Sequence, residues 1–336
     1  MEAGIREFLS QVKIGAKQTH NNMTLYCLLS ATEAPVDFLT LDEALDKEAV
    51  AITEVGEGGS VPELKVVNRS KQKVLLLDGE ELVGAKQNRV LNVTILIAAQ
   101  SETVIPVSCV EQGRWSYRSR QFGSESRAMS AHLRKRKSET VTDNLRHRQN
   151  FRSDQGVVWE EIENKYARMA AAPSPTMAMA DLYKYHEDLS AEYLAAFRPV
   201  DNQIGIVVFI DGEIVGTEFL DKFESFRKNH AKLVQSYIMD ALETATLKSE
   251  FTRRPSKAKA RRILECAARA STEKRESVAL GEDVRFESSE VFGAGLEFGG
   301  QLLQLSIFLR EENEGKGHRP SKLKRASVRR TSFARE

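Results

Sequence analysis

The sequence predicts an α+β fold in which a β-rich N-terminal part, a helical middle segment and a C-terminal α+β part form one compact unit. Three observations predict it. Short apolar or β-branched runs separated by turn residues fill the first third, helical spacing takes over near Ser124, and strand-like runs return from Gly205. The expected divisions are 1–117 for the β-rich part, 118–200 for the helical segment, 201–310 for the α+β part and 311–336 for a basic disordered tail.

In the first part, Met23 to Leu29, Ala49 to Val55, Leu64 to Asn68, Val74 to Leu77, Val90 to Ala99 and Val104 to Val110 read as strands. Gly56 to Pro62 and Asp78-Gly79 read as turns between them. Met129, Leu133, Val141 and Leu145, then Val158, Ile162, Tyr166 and Met169, recur at helical spacing. Pro173 and Pro175 break that pattern, and further helix covers Thr176 to Phe197 before Pro199. A strand at Gly205 to Ile210 turns at Asp211-Gly212. A long helix begins near Asp221, where Asp221 and Glu224 have capping-box spacing. A second helix, Lys257 to Ala270, precedes strands at Val284 to Ser288, Val291 to Phe298 and Leu302 to Phe308. Gly293, Gly295, Gly299 and Gly300 mark bulges or tight turns there rather than a phosphate loop. From Gly315 to Arg335 the segment is basic and without acids, which predicts disorder.

Composition excludes several classes. Of 336 residues 41% are hydrophobic and 29% charged, so a wholly disordered chain is excluded. No apolar run reaches the roughly 18 residues of a membrane span, and Met1 to Leu9 lacks a basic-then-apolar leader pattern. A cytoplasmic protein without a membrane segment is expected. Cys27, Cys109 and Cys266 are too few and too scattered for a disulfide framework or a zinc site. His20, His132, His147, His186, His230 and His318 show no ligand spacing, so no metal site is expected, and His230 falls on the apolar face of its helix as a core residue. There is no Walker loop, no GxSxG and no GxGxxG opening a helix.

One internal echo is visible: Val74 to Gly84 matches Val207 to Gly216 apart from one inserted acid. Each copy reads as a strand, an Asp-Gly turn and a returning strand.

The segment Glu80 to Arg120 mixes strand-like runs with many polar groups. With Gln100 to Thr103 as a turn, Ala99 lies opposite Val104, and the register then sets Asn92 opposite Glu111, Asn88 opposite Trp115 and Arg89 opposite Arg114. Two facing arginines repel, so a nearby acid such as Glu80 or Glu81, or an anionic ligand, must compensate. Cys109 reads as a packing cysteine, because the register sets no base or cation beside it. Burial of Glu111 would raise its pKa and fit it for acid-base work, with Glu80, Glu81 or Asp78 as the second group. Arg114 to Arg152 is strongly basic, and Trp115, Tyr117 and Phe122 among its first arginines fit phosphate contacts with base stacking.

Leu77 to Asn92, followed by Ile105 to Trp115, closely resembles a bacterial and archaeal family, the ADP-ribosylglycohydrolase and rhodanese-phosphatase superfamily associated protein domain. Further matches are Tyr117-Arg118-Ser119-Arg120, Arg152 to Gly156 with Trp159, and Ser174-Pro175-Thr176 with Ala178 to Asp181, so the similarity covers roughly residues 10 to 245. The family name implies a link to NAD or ADP-ribose metabolism. The resemblance marks Lys86, Gln87, Asn88, Arg89, Cys109, Glu111, Gln112, Arg114 and Trp115 as motif positions without assigning their roles.

The expected function is a binding or accessory protein for a phosphate-containing nucleotide such as ADP-ribose or NAD. Arg89 and Arg114 would contact phosphate, Trp115 would stack, and Asn88, Asn92 and Gln112 would bond sugar or base edges, with Lys86 and Gln87 completing the ligand-binding set. A hydrolase of N-glycosidic or phosphoester bonds, with Glu111 and either Glu80 or Glu81 as acid and base, is the second reading. A nucleic-acid module using 114–152 and the tail is the third, and a structural assembly unit the fourth. No cofactor is assigned, and the oligomeric state is left open.

Overall fold

The run Gln203–Ile210 is buried at all eight positions, and the largest sheet is built around it. The computed structural model describes residues 4–31, 36–56, 58–172, 174–246 and 254–310. The expected tail and the breaker Pro173 lie outside the described residues.

The N-terminal elements are α1 (Ile5–Gln11), β1 (Lys13–His20), β2 (Met23–Leu29), β3 (Phe38–Thr40), α2 (Leu41–Asp46), β4 (Val50–Glu54) and β5 (Glu63–Asn68). They continue with β6 (Lys73–Leu76), β7 (Glu81–Gly84), β8 (Arg89–Leu91), β9 (Ile95–Ile97), β10 (Ser101–Cys109) and β11 (Phe122–Gly123). The helical middle is α3 (Ala131–Arg148), α4 (Gln155–Arg168), α5 (Met179–Tyr185) and α6 (Glu187–Ala196). The C-terminal part is β12 (Gln203–Ile210), β13 (Glu213–Leu220), α7 (Phe223–Thr246), α8 (Lys257–Ala268), β14 (Ser271–Glu276), β15 (Glu282–Glu287), β16 (Val291–Phe298) and β17 (Gln301–Leu309). This is the α+β architecture expected, and no helix among the described residues is long and apolar enough to cross a membrane.

The strands form an eight-stranded sheet in the order β1-β2-β12-β13-β17-β16-β15-β14, a six-stranded sheet β11-β7-β8-β10-β5-β4, and a three-stranded sheet β3-β6-β9. The N-terminal strands β1 and β2 thus complete the sheet of the C-terminal part. Both faces of β12 are covered. Ile206, Val208 and Ile210 join Val234, Tyr237 and Ile238 of α7 in one core, while Ile204, Val207 and Phe209 join Ile5 and Leu9 of α1 and Ile263 of α8 in another. A third core fills the smaller sheets, closed by Val141 and Leu145 of α3. His230 is a core residue as expected, packed edge-on against Phe226 at 5.6 Å.

Buried ion pairs fasten the helices to the sheets. Arg134 of α3 meets Glu218 of β13 at 2.7 Å, and Lys165 of α4 meets Asp240 at 2.6 Å and Glu243 at 2.5 Å on α7. Lys232 of α7 reaches Asp42 at 2.9 Å and also pairs with Glu80.

Four local expectations are corrected. The run Val90 to Ala99 is two strands in different sheets, β8 and β9. The buried Lys137 ammonium donates to the carbonyls of Leu91, at 2.7 Å, and Asn92, at 3.0 Å. Those carbonyls are therefore engaged by α3 where a continuous strand would run on. The hairpin register falls with the run. Ser101 to Pro106 pair with β5, and Val107 to Cys109 pair with β8, which sets Cys109, not Arg114, opposite Arg89. The echoed segments also differ. Val207 to Gly216 is a true hairpin, but β6 and β7 lie in separate sheets. In that copy the Leu77 N–H donates to the Glu80 carboxylate at 2.7 Å, closing the turn on itself. Finally, Asp221 forms no capping box, since neither carboxylate oxygen has a hydrogen-bond partner.

Candidate functional site

The polar residues of the two long motifs meet where β7, β8 and β10 end. Gly84 sits at φ +128°, and a Cβ there would lie 2.6 Å from Ser119 Oγ, so the chain turns tightly against the 112–121 loop. Arg114 holds that loop in place. Its guanidinium grips Glu111 through Nε at 2.9 Å and Nη2 at 2.6 Å, and donates to the carbonyls of Ala85 at 2.6 Å and Ser116 at 2.8 Å. Arg114 is engaged by the protein itself. The two arginines do not face each other, because Glu111 pairs with Arg114 and Arg89 faces Cys109, although the Arg114 charge still acts on Arg89.

Arg89 is the contrast. It has no exposed surface, and Nη1 donates to Gln87 Oε1 at 3.0 Å and to the Asn88 carbonyl at 3.4 Å, while Nε and Nη2 have no partner. Burial lowers its pKa from the ordinary arginine value, with the Cys109 sulfur and the Glu54 carboxylate pulling the other way. The Trp115 ring lies over this guanidinium at 5.6 Å, and Lys86 Nζ lies 5.3 Å from the Trp115 ring and 5.0 Å from that of Tyr117. Trp115 and Tyr117 keep 47% and 54% of their surface exposed. Exposed Trp115 therefore covers a buried cation with open valences, and exposed Tyr117 stands beside it over Lys86. The expectation that no cation stands beside Cys109 is corrected, since Arg89 Nη1 lies 3.5 Å from its sulfur; burial nonetheless pushes the thiol up, as for a packing cysteine.

The three candidate acids separate. Glu80 is buried and accepts from the Leu77 N–H and from Lys232, which it shares with Asp42, so it joins the architecture rather than the site. Glu81 and Glu111 share Asn88, whose side chain donates to Glu81 Oε1 at 3.3 Å and whose backbone N–H donates to Glu111 Oε2 at 3.1 Å. Desolvation raises Glu81 to about 8 against the opposing charge of Arg127, and its Oε2 has no partner. Burial also acts to raise Glu111, but the Arg114 hydrogen bonds, the Asn88 N–H and the charges of Arg114 and Arg118 outweigh it and leave the pKa lowered. The two neighbouring carboxyls are thus displaced in opposite directions, Glu81 toward holding its proton and Glu111 toward releasing it.

Of the remaining expected ligand residues, Asn92 is tied to the Phe151 carbonyl at 3.0 Å and to Ser108 at 2.5 Å, and Gln112 is exposed on the loop. Gln87 accepts from Arg89, and Lys86 Nζ donates to the Gly58 carbonyl at 2.6 Å. The basic stretch is largely neutralised in place. Arg118, Arg127, Arg134, Arg136, Lys137, Arg146 and Arg152 each face a carboxylate. Sequence reasoning missed Glu54, the last residue of β4, which is 7% exposed and accepts from the Lys86 backbone N–H at 3.3 Å. Its signal was an acid inside the apolar run Ala49 to Val55. Among the described residues no group of three or more His, Cys, Asp or Glu side chains is placed to hold a metal ion.

A family model described as the ARG and Rhodanese-Phosphatase-superfamily-associated Protein domain matches residues 11–308. No curated protein and no solved structure matches the chain. The family match runs beyond the 10 to 245 span of the motif resemblance and takes in β14, β15, β16 and all but the last residue of β17. Carrying both long motifs and the late sheet within that one match, the chain belongs to the ARG and Rhodanese-Phosphatase-superfamily-associated Protein domain family.

Proposed function

We propose that this protein binds a phosphate-containing nucleotide of the ADP-ribose or NAD kind and serves as a binding or accessory protein. The observation that carries the reading is the Arg89 guanidinium, fully buried with Nε and Nη2 unpartnered. Those two donors form one edge of the planar fork, the edge that matches two oxygens of a phosphate. A buried charge without partners is costly, and an anionic ligand removes that cost. Trp115 is the cover that such a ligand displaces, and the exposed rings of Trp115 and Tyr117 give a base a surface to stack on. Arg114 positions the loop that carries them. The family's description, which links it to ADP-ribosylglycohydrolase and rhodanese-phosphatase proteins, supports the nucleotide class.

Titration of ADP-ribose, NAD and inorganic phosphate against wild type and Arg89→Gln, followed by Trp115 fluorescence and thermal shift, tests the reading. Wild type is expected to respond to at least one of these anions, and Arg89→Gln to none. Equal responses in the two proteins, or silence from wild type, would overturn it.

The hydrolase reading is favoured by one observation, the opposite displacement of Glu81 and Glu111, which divides an acid from a base. Turnover of ADP-ribose or NAD with a bell-shaped pH profile, lost in Glu81→Gln and in Glu111→Gln, is its expected signature. Full activity in both variants sinks it.

A further inference from the structure

Two buried side chains of opposite charge flank Lys86 and the Trp115 ring without joining: Glu54 holds the Lys86 backbone N–H, and the Trp115 ring lies over both Lys86 Nζ and Arg89. Glu54 Oε2 has no hydrogen-bond partner, and neither do Nε and Nη2 of Arg89, although the Glu54 carboxylate is among the charges that act on the guanidinium. Each is held by other contacts. Glu54 Oε1 accepts from the Lys86 backbone N–H at 3.3 Å, and Arg89 Nη1 is bound to Gln87 Oε1 at 3.0 Å. Direct pairing would satisfy both groups, so their separation marks a place for a third group that accepts hydrogen bonds on one side and donates on the other.

A Cβ on Gly59, at φ +74°, would lie 3.2 Å from the free Glu54 oxygen and 3.4 Å from Lys86 Nζ, so the backbone of this loop packs closely against that carboxylate and a side chain here would crowd it. The neighbouring Gly58 carbonyl fixes Lys86 Nζ at 2.6 Å, under the aromatic pair.

We infer that Glu54 is the second pole of the Arg89 site and selects ligands in which a hydroxyl-bearing sugar adjoins the phosphate. The phosphate oxygens accept from Arg89 Nε and Nη2, and a sugar hydroxyl donates to Glu54 Oε2. A phosphate ester without hydroxyls satisfies only Arg89 and meets repulsion from Glu54, and a cation satisfies only Glu54. The inference rests on the reading of Arg89 as the phosphate binder, and names the part of the ligand beside that phosphate.

The test uses ribose 5-phosphate and methyl phosphate at pH 8, where neither phosphate carries a proton, on the full chain. Wild type is expected to prefer ribose 5-phosphate by at least about tenfold, because a site built to bond a hydroxyl rejects the analogue that lacks one. Glu54→Gln is expected to bring the ratio close to one, and Arg89→Gln to lose both ligands. Circular dichroism checks the folding of each variant, and Glu54→Asp, which keeps the charge but withdraws it by one methylene, replaces Glu54→Gln if that protein does not fold. An unchanged preference in the Glu54 variant, with binding lost in Arg89→Gln, overturns the role of Glu54 alone. Undiminished binding by Arg89→Gln, or no binding of either ester by wild type, overturns the phosphate reading and this inference with it.

Discussion

Two sets of buried charges in this molecule are built on opposite terms. In the layer between α3, α4, α7 and the sheets, each cation meets its acid. Arg134 holds Glu218 with Ser236 and the Met129 carbonyl, and Lys165 holds Asp240 and Glu243. Arg89 at the start of β8 and Glu54 at the end of β4 are also buried and remain apart. Saturated pairs define the architecture, because removing either partner strands the other away from water. At Arg89 and Glu54 one side of each group is bonded within the protein and the other is left open, which is the side the proposed ligand would use.

The largest effect is expected where the comparison is sharpest. Lys165→Met leaves Asp240 and Glu243 facing each other, and urea unfolding is expected to show a loss of about 3–5 kcal/mol. A loss below about 1 kcal/mol would show that the closed set is not what joins α4 to α7.

Next is a pH effect. Glu81 has its folded pKa raised from 4.5 to about 8, so the folded state holds the proton more tightly than the unfolded chain. Its contribution to stability is therefore fully present below pH 4.5 and is lost as pH rises toward 8, with a slope approaching about 1 kcal/mol per pH unit. Glu81→Gln, neutral at every pH, is expected to flatten that decline in chemical denaturation between pH 5 and 8. His230 acts in the opposite direction. Burial lowers it from 6.5 to about 4, so stability falls as pH drops through that range, and His230→Gln is expected to lessen the acid loss.

Smaller still is Arg89→Met. With two donors already unpartnered, the change is expected to raise Tm by an amount equivalent to about 1 kcal/mol or less, while abolishing anion binding. A loss as large as that of Lys165→Met would break the comparison. The smallest effect is expected for Arg152→Ala, whose partner Glu63 lies at 2.9 Å on the surface, with both side chains well exposed. Exposed pairs contribute about 0–1 kcal/mol, and thermal unfolding at low and high salt checks this one.

The apolar runs were legible because burial repeats with the period of the backbone. Gly205 to Ile210, Val291 to Phe298 and the helix after Asp221 all stand where their patterns predict. The strand Lys13–His20 was not, since five of its eight residues carry polar or charged side chains and its burial is partial at an open edge. The site was legible as a neighbourhood and not as a set of contacts. Arg89, Glu111, Arg114 and Trp115 do converge, yet the facing of Arg89 and Arg114 depended on a hairpin that does not form.

Local periodicity, turn residues and the two long motifs sufficed to determine the α+β class, the order of most elements, the family and the strip of chain that carries the candidate site. Which cation meets which acid was decided only in three dimensions. Lys137 of α3 reaches the carbonyls of Leu91 and Asn92 where β8 ends, burial raises the Glu81 pKa because the fold surrounds it, and Glu54 acts on Arg89 from a different strand of the sheet. Each outcome depends on desolvation and on partners distant in sequence. Neither is encoded in the spacing of residues along one strand or helix.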